Sequence, residues 1–302
     1  MDLSQLRHKS IVLRLAVVLL LLSPASLTYA EANSTRNDSQ HFAWYKLNYK
    51  ASKFGLNATT EITIRQQSIN DYTEQLEALD IPHHGSKPLY PNDPLGYITL
   101  KANYAGRTTH FSTWLELPSG KALQSSRSRS GLTKNEQKIY RFTEKGVIEV
   151  KQKEDSVKNN FISLKNRQIP SNLTQPIYLF YLVSNSPQLR NVGDSLELPV
   201  YANKGIYTFK LLVEEQVNIA TEYQLGMHGE VLKKRYTEAL KISVKPTPLN
   251  SAHREKPVKL AGLDNGVFFY LEKNSRLPIE LRGNMNIFGQ VRYILQRAQL
   301  TP

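Results

Sequence analysis

The feature that most constrains the fold of this chain is a period-two alternation of apolar and polar residues, repeated in short segments. In the first of these, 42–51, the residues on one face of a predicted strand are Ala43, Tyr45, Leu47, Tyr49 and Ala51. The other face is rich in lysine and asparagine. Successive side chains of a strand point to opposite faces, so the pattern is typical of strands with one face on a core and one in water. The chain is therefore predicted to be mainly β.

The same alternation continues along the chain, with tight connections such as Ala105-Gly106 and a predicted hairpin turn at Glu144-Lys145-Gly146. The predicted strands are 42–51, 58–65, 97–104, 108–117, 122–129, 137–142, 146–152, 195–201, 206–214, 217–223, 236–245, 267–272, 279–282 and 290–296. No fixed repeat is visible, which argues against solenoids and propellers. We predict one large curled antiparallel sheet, an open or partly closed barrel, with a two-sheet sandwich as the alternative. It forms a single β-domain over 41–302, with an insertion at 67–96.

Two segments depart from the strand pattern and predict one or two short helices. One is the acidic stretch Asp71–Asp80 within the insertion. The other is Thr174–Val183, in which Thr174 is a candidate cap, Pro176 lies in the first turn and three apolar residues follow at helical spacing. We expect this second helix to plug or cover the sheet, and a buried aromatic strand is the alternative.

The first 30 residues have the pattern of a secretory signal peptide. Basic residues precede an eight-residue apolar run at 15–22, and Thr28-Tyr29-Ala30 provides a small-x-small cleavage site. The apolar run is shorter than the roughly 20 residues that a transmembrane helix needs. We expect cleavage after Ala30, a polar arm at 31–40 and a mature chain with no transmembrane anchor.

The 302 residues include no cysteine. This excludes disulfides, zinc–thiolate sites, iron–sulfur clusters, cysteine nucleophiles and a lipoprotein anchor. Four Asn-x-Ser/Thr sequons, at Asn33, Asn37, Asn57 and Asn172, leave a eukaryotic secretory route open. An exported chain of this size without cysteine nevertheless fits a bacterial periplasm better, and the periplasm is the predicted location.

The formal net charge of +13 is distributed unevenly. Residues 121–168 carry 12 basic and five acidic side chains, and residues 233–259 carry eight and two. Basic segments of this kind are typical of contact with anionic headgroups, lipopolysaccharide phosphates or acidic glycans, or of a solvated strand face or exposed loop. Nucleic acid is not expected, because the export signal directs the protein away from it. Lys233-Lys234-Arg235 and the polar segment 246–257 are predicted to be loops.

The sequence contains none of the familiar catalytic motifs. A glycine-rich phosphate loop, a dinucleotide fingerprint, a Gly-x-Ser-x-Gly elbow and His-Glu-x-x-His are all missing from it. His83-His84, near Asp80 and Asp93, comes closest to a metal site, but adjacent histidines usually diverge. We therefore predict no catalytic residues, no metal ligands and no cofactor.

Four parts of the chain share their order and local pattern with a known family. They are the opening hairpin 45–58, Ser-Arg-Ser-Gly at 128–131 with the strands after it, the second predicted helix with 192–201 and 206–215, and the end from 267 to 295. In this order they resemble an uncharacterised family of exported bacterial β-proteins, a domain of unknown function. Gln175 and Tyr270 stand where that family tends to have Asp and Trp. The resemblance implies an antiparallel β-fold with an incompletely closed sheet, and it implies no activity.

Three functions follow as hypotheses. The first is a non-catalytic periplasmic binding or carrier protein, whose aromatic face lines a cavity for an acyl chain or peptide and whose basic residues attract an anionic headgroup. The second is an envelope structural or adaptor protein that binds another protein, and the third is an enzyme acting on envelope glycans or lipids. Whether the interior is an open cavity or a packed core is undecided, because both need the same alternation. The side chains predicted to bind a ligand are Trp114, Arg127, Arg129, Arg141 and Tyr270.

Overall fold

Fourteen strands and two short α-helices form the part of the chain that the computed structural model describes. This part is residues 43–301 without 54–55, 80, 82–85, 92–93, 118, 132–134, 154–155, 164–169, 228–229, 250–257 and 287. The strands are β1 (Lys46–Lys53), β2 (Leu56–Gln67), β3 (Leu95–Tyr104), β4 (Arg107–Glu116), β5 (Ala122–Ser130), β6 (Glu136–Thr143), β7 (Gly146–Lys153), β8 (Ser156–Ser163), β9 (Ser195–Ala202), β10 (Gly205–Met227), β11 (Glu230–Pro248), β12 (Asn265–Glu272), β13 (Pro278–Met285) and β14 (Gly289–Gln299). The helices are α1 (Ile69–Ala78) and α2 (Leu179–Asn185), and neither has the length and apolarity required to cross a membrane. The predicted signal peptide, the polar arm and His83-His84 lie outside the described residues.

All fourteen strands belong to one sheet, in the order β8-β7-β6-β5-β4-β3-β2-β1-β14-β13-β12-β11-β10-β9. Neighbours in this order are antiparallel, as the alternation of exposed and buried faces predicts. The far end of β10 also pairs in parallel with β14, where Gln224 lies opposite Arg297. Strands β10–β14 therefore close into a ring, while β1–β8 extend from it. The prediction of a mainly β protein with one large curled sheet is confirmed.

The curl brings β5–β7 close to the start of β10. Tyr201 of β9 packs edge-on against Phe142 of β6, with 5.5 Å between ring centroids. Backbone hydrogen bonds through 173–174 join the two regions: the amide of Ala122 donates to the carbonyl of Leu173 at 2.9 Å, and that of Tyr201 to the carbonyl of Thr174 at 2.8 Å. A short connecting segment thus completes the curl where strands do not pair directly.

Helix α2 lies inside the curl and forms the centre of the core. Phe180 contacts Phe269 of β12 and Tyr49 of β1, with ring centroids 5.1 Å and 6.3 Å away. The indole nitrogen of Trp44 donates to the hydroxyl of Ser184 at 3.0 Å. We call the side of the sheet that faces α2, with Tyr49 on it, the inner face. Tyr49, Phe180 and Phe269 are all buried, so the interior around α2 is a packed core. Each fully buried Leu or Phe in this core contributes about 1.5–3 kcal/mol to stability.

The second predicted helix is confirmed, but it begins later than expected. Thr174 does not cap it, because the Thr174 backbone forms a bridge with Val200 of β9. Pro176 instead opens a 3-10 turn, Pro176–Tyr178, that leads into α2. A proline suits such a first turn, because an N–H at that position would have no hydrogen-bond partner within the helix.

Helix α1 begins at Ile69, before the predicted Asp71, because Ser68 is its N-cap. The Ser68 hydroxyl accepts from the amide of Asp71 at 3.1 Å, and the Asp71 carboxylate accepts from the amide of Ser68 at 3.1 Å. This reciprocal capping box satisfies two of the backbone donors left over at a helix start. Tyr72 and Leu76 are the buried residues of the helix.

The long hairpin of β10 and β11 corrects three predictions. The predicted strands 206–214 and 217–223 are one strand, since an irregularity between Val213 and Glu215 shifts the register without ending the pairing. Lys233-Lys234-Arg235 lies within β11, not in a loop, because Lys234 pairs with Tyr223. Residues 246–248 also belong to β11. Strand β8 was not predicted, because its sequence SVKNNFIS lacks a clear alternation.

Candidate functional site

A single row of side chains crosses the inner face from the core to the edge of the sheet. Residues directly opposite one another on neighbouring strands lie on the same face. Followed through the register from β1 to β8, the row is Leu47, Ile62, Leu100, Phe111, Arg127, Lys138, Lys151 and Lys158. Its first four members are apolar and its last four are basic. Along this row the inner face therefore changes from core to cationic surface between β4 and β5.

The basic half of this row is part of a larger charged surface, which we call the basic wall. We define the basic wall as the charged inner-face residues of β5–β8: Arg127, Arg129, Glu136, Lys138, Glu149, Lys151, Lys153 and Lys158. Among these described residues six are basic and two acidic, which gives a formal net charge of +4. The side chains of Lys138 and Lys151 are 18% and 36% exposed and Lys158 is exposed, so the wall is half-enclosed on β6 and β7 and open to solvent on β8.

Two carboxylates lie between the cations of the wall. Glu136 forms ion pairs with Arg127 at 3.1 Å, Lys151 at 3.4 Å and Lys138 at 3.9 Å. Burial raises the pKa of Glu136, but these cations outweigh it and hold the pKa below its usual value. One carboxylate is thus shared by three cations.

The second carboxylate, Glu149, is almost fully buried and reaches across the curl. It forms ion pairs with Lys204, in the turn between β9 and β10, at 2.7 Å and with Lys138 at 3.5 Å. Burial raises the pKa of Glu149, but its bonds to the two lysines outweigh burial and lower the pKa overall. Burial and the adjacent carboxylate raise the pKa of Tyr140, which donates to Glu149, to about 12. The carboxylate therefore stays ionised.

The arrangement leaves positive charges in excess and close together. Like charges directly opposite each other on neighbouring strands are destabilising, and the row places Lys151 between Lys138 and Lys158. Burial and the charge of Arg127 both lower the pKa of Arg129. Strands β5–β8 are separated by three inter-strand spacings, so the basic half of the row is about 14 Å long. An anion with two or more charged groups along that length would relieve the repulsion.

The five predicted binding residues lie in three places and not around one cavity. Arg127 and Arg129 belong to the basic wall. Trp114 and Arg141 lie on the opposite, outer face of β4 and β6, where α1 covers the sheet. Tyr270 is on β12, buried beneath the guanidinium of Arg282, 4.2 Å from the ring centroid.

On the outer face, Arg141 acts as an anchor for α1. Its guanidinium donates to the side-chain oxygen of Gln124 at 3.1 Å and to the carbonyl of Leu76 at 2.9 Å. Burial lowers the pKa of Arg141. Trp114 lies between the rings of Tyr72 and Tyr97.

Sequence reasoning missed the lysines that complete the wall, Lys138, Lys151 and Lys158. The predicted hairpin turn at 144–146 contained a signal for two of them, because a tight turn fixes which residues of its strands face each other. That register places Lys138 opposite Lys151. Within the described residues, no group of three or more His, Asp or Glu side chains is placed to hold a metal ion.

Comparisons with known proteins identify no family. No family model and no curated protein sequence matches the chain. Among solved structures, a beta-barrel-like protein of domain of unknown function DUF1849 from Brucella abortus is similar, with a TM-score of 0.41 and 10% sequence identity. The match covers 85% of this chain and 96% of that protein.

Proposed function

We propose that this is a non-catalytic binding protein that acts in the periplasm after export and binds a multiply phosphorylated component of the cell envelope on the basic wall. The observation that carries the proposal is the unbroken row Arg127, Lys138, Lys151 and Lys158 across four neighbouring strands. The location is supported by the signal-peptide pattern of the first 30 residues.

The chemistry of the row favours phosphate groups as the ligand. Lysine binds phosphate as a point charge, and arginine adds a planar fork that holds two oxygens at once. A row of three lysines and one arginine suits several separate phosphates better than a single carboxylate. The half-enclosed side chains lose less attraction to solvent screening than fully exposed ones would.

The packed interior narrows the earlier carrier hypothesis. The aromatic residues of the inner face surround α2, with Phe180 between Tyr49 and Phe269. An acyl chain would have to displace that core, so we propose that the ligand binds through its anionic groups. Those groups could belong to a lipid headgroup or to a soluble phosphorylated molecule, and the test below separates the two.

The test compares two double variants of equal net charge. Lys151→Gln with Lys158→Gln removes two charges from the wall, and Lys50→Gln with Lys101→Gln removes two exposed charges from the outer face. The probes are inositol hexakisphosphate, vesicles of phosphatidylcholine with phosphatidylglycerol, and vesicles of phosphatidylcholine only. Binding is measured by calorimetry for the first probe and by co-sedimentation for the vesicles.

The wild-type protein is expected to bind at least one anionic probe, more weakly as salt rises. The wall variant should bind about tenfold or more weakly, since a hydrogen bond to a charged group contributes about 1.5–3 kcal/mol, while the outer-face variant stays close to wild type. Binding of inositol hexakisphosphate alone identifies a soluble ligand, and binding of the anionic vesicles identifies a headgroup. Equal losses in both variants, or no binding to either anionic probe, would contradict the proposal.

A further inference from the structure

A separate cavity of about 150 Å³ lies on the outer face, between the end of α1 and strands β4–β6. Its floor is formed by the sheet and its rim by Ala78 and Leu79. The basic wall is on the other side of the same strands, because the register places Gln124 opposite Trp114 and Arg141, and Arg127 opposite Phe111 and Lys138. The two sites therefore lie on opposite faces of the same strands and have no side chain in common.

The cavity has an uncharged lining to which both hydrogen-bonding and apolar side chains contribute. Its polar and aromatic members are Gln75, Ser112, Trp114, Gln124, Ser125, Ser126 and Gln137, and its aliphatic members are Ala78, Leu79 and Ile139. A cavity of similar volume lined by Leu, Ile and Phe stays dry and binds benzene. This one therefore has room for one six-membered ring, but its amides and hydroxyls suit a ring that carries hydroxyl groups.

Internal hydrogen bonds hold the lining groups in fixed orientations. The hydroxyls of Ser112 and Ser126 are 2.8 Å apart, and the side-chain oxygen of Gln124 accepts from Arg141 at 3.1 Å. The indole nitrogen of Trp114 donates to the side-chain oxygen of Gln75. With their oxygens engaged, the two glutamines offer amide N–H groups as donors. Preset donors of this kind lower the cost of ordering the site on binding.

From this geometry we infer that the outer cavity is a binding site for a single neutral sugar ring. The site is small by comparison with pockets for larger ligands, which are typically about 300–1,000 Å³, so it takes one ring of a glycan and not a longer stretch. The uncharged lining separates this ligand class from the anion proposed for the basic wall. The inference does not depend on that proposed function.

Trp114 provides a direct readout, because the chain has two tryptophans and the other, Trp44, is in the core. In the purified protein labelled with ¹⁵N-tryptophan, NMR follows both indole N–H signals, and Trp44→Phe or Trp114→Phe assigns them. The probes are methyl glucoside, methyl galactoside and N-acetylglucosamine. Cyclohexanol, a ring with a single hydroxyl, tests whether a mainly apolar ring is sufficient, and inorganic phosphate tests for the basic wall.

At least one sugar is expected to shift the Trp114 signal saturably and leave the Trp44 signal in place, whereas cyclohexanol and phosphate do not shift it. Gln137→Ala or Ser126→Ala should lower the affinity for the sugar about fivefold, because each removes roughly one hydrogen bond. Gln152→Ala, the neighbour of Gln137 on β7 outside the lining, should not. The wall variant should bind the sugar normally, so this result is distinguishable from failure of the proposed function. The inference is overturned if no sugar shifts Trp114, or if cyclohexanol shifts it as much.

Discussion

Arg276 holds the end of α2 inside the core, and its removal should be among the most damaging single changes in the protein. It lies in the turn between β12 and β13 with a φ of 58°, in the left-handed region. Its guanidinium donates to the carbonyls of Leu189 at 2.7 Å and Val183 at 2.8 Å, and more weakly to those of Ser184 and Ser186. The last carbonyls of a helix have no partner within the helix. Arg276 supplies one from another part of the fold.

The size of the effect follows from these contacts. Two short hydrogen bonds from a charged donor are worth about 1.5–3 kcal/mol each, and a cation at a helix C-terminus adds about 0.3–1 kcal/mol. Arg276→Ala should therefore lower the free energy of unfolding by about 3–7 kcal/mol. A residue with a side chain in the left-handed region costs about 1–2 kcal/mol. Arg276→Gly should recover that amount relative to Arg276→Ala, and Arg276→Lys, which lacks the planar fork, should fall between the alanine variant and wild type.

Urea unfolding measures these differences through the midpoint, provided that the slope with urea concentration is unchanged. Arg297→Ala is the matched control, because that arginine also donates hydrogen bonds, to Gln224, but is exposed. Its cost should stay within about 1 kcal/mol. The capping argument is refuted if Arg276→Ala loses no more than this control. The backbone argument is refuted separately if Arg276→Gly is less stable than Arg276→Ala.

Two further predictions concern stability. The pKa of Glu149 is lower in the folded protein than in the unfolded chain, so its stabilisation is complete above about pH 4.3 and is lost as pH falls through the folded value. Glu149→Gln should therefore be about 1–3 kcal/mol less stable than wild type at pH 7 and should lose less stability between pH 5 and 3. An unchanged dependence of stability on acid pH would disprove this. Gly120→Ala should cost about 2–5 kcal/mol, because φ is +69° and the added Cβ would clash with the ring of Tyr178. The control is Gly193→Ala, where φ is +93° and the space around the glycine is open, so it should cost only the backbone strain, about 1–2 kcal/mol. If Gly120→Ala and Gly193→Ala had equal urea midpoints, a clash with Tyr178 would be contradicted.

The alternation of apolar and polar residues was sufficient to predict the fold class. The alternation within a strand shows which residues share a face, and Leu47 and Tyr49 are buried as predicted. Tyr45, predicted on the same face, precedes β1 and is exposed. Boundaries were less predictable where a feature outside the pattern decides them. Ser68 sets the start of α1 through its reciprocal bonds with Asp71, and Thr174 is drawn away from the helix by a backbone bridge to a strand far along the chain.

The candidate site was only partly predictable, because it is organised across strands and not along them. Within β6 or β7 alone, Lys138 and Lys151 have the pattern of ordinary polar positions of an alternating strand, and their charge would normally face water. Only the register shows that the same row is apolar at Leu100 and basic at Lys138. By contrast, Trp114 and Arg141 were predicted as binding residues from the sequence, and both contact α1 on the outer face, away from the basic wall.

This difference bears on how the protein divides stability from binding. Where β1–β4 face α2, the inner face gains stability by burying apolar side chains, and a charge there would be costly. Along the row past β4 the inner face accepts Lys138 and Lys151 side by side, and among the described residues the carboxylates paired with them are Glu136 and Glu149. An arrangement that costs stability and is supported by so few counter-charges is expected where a ligand supplies the missing negative charge. The same curl that buries the core thus leaves strands β5–β8 to form the surface that we propose binds a ligand.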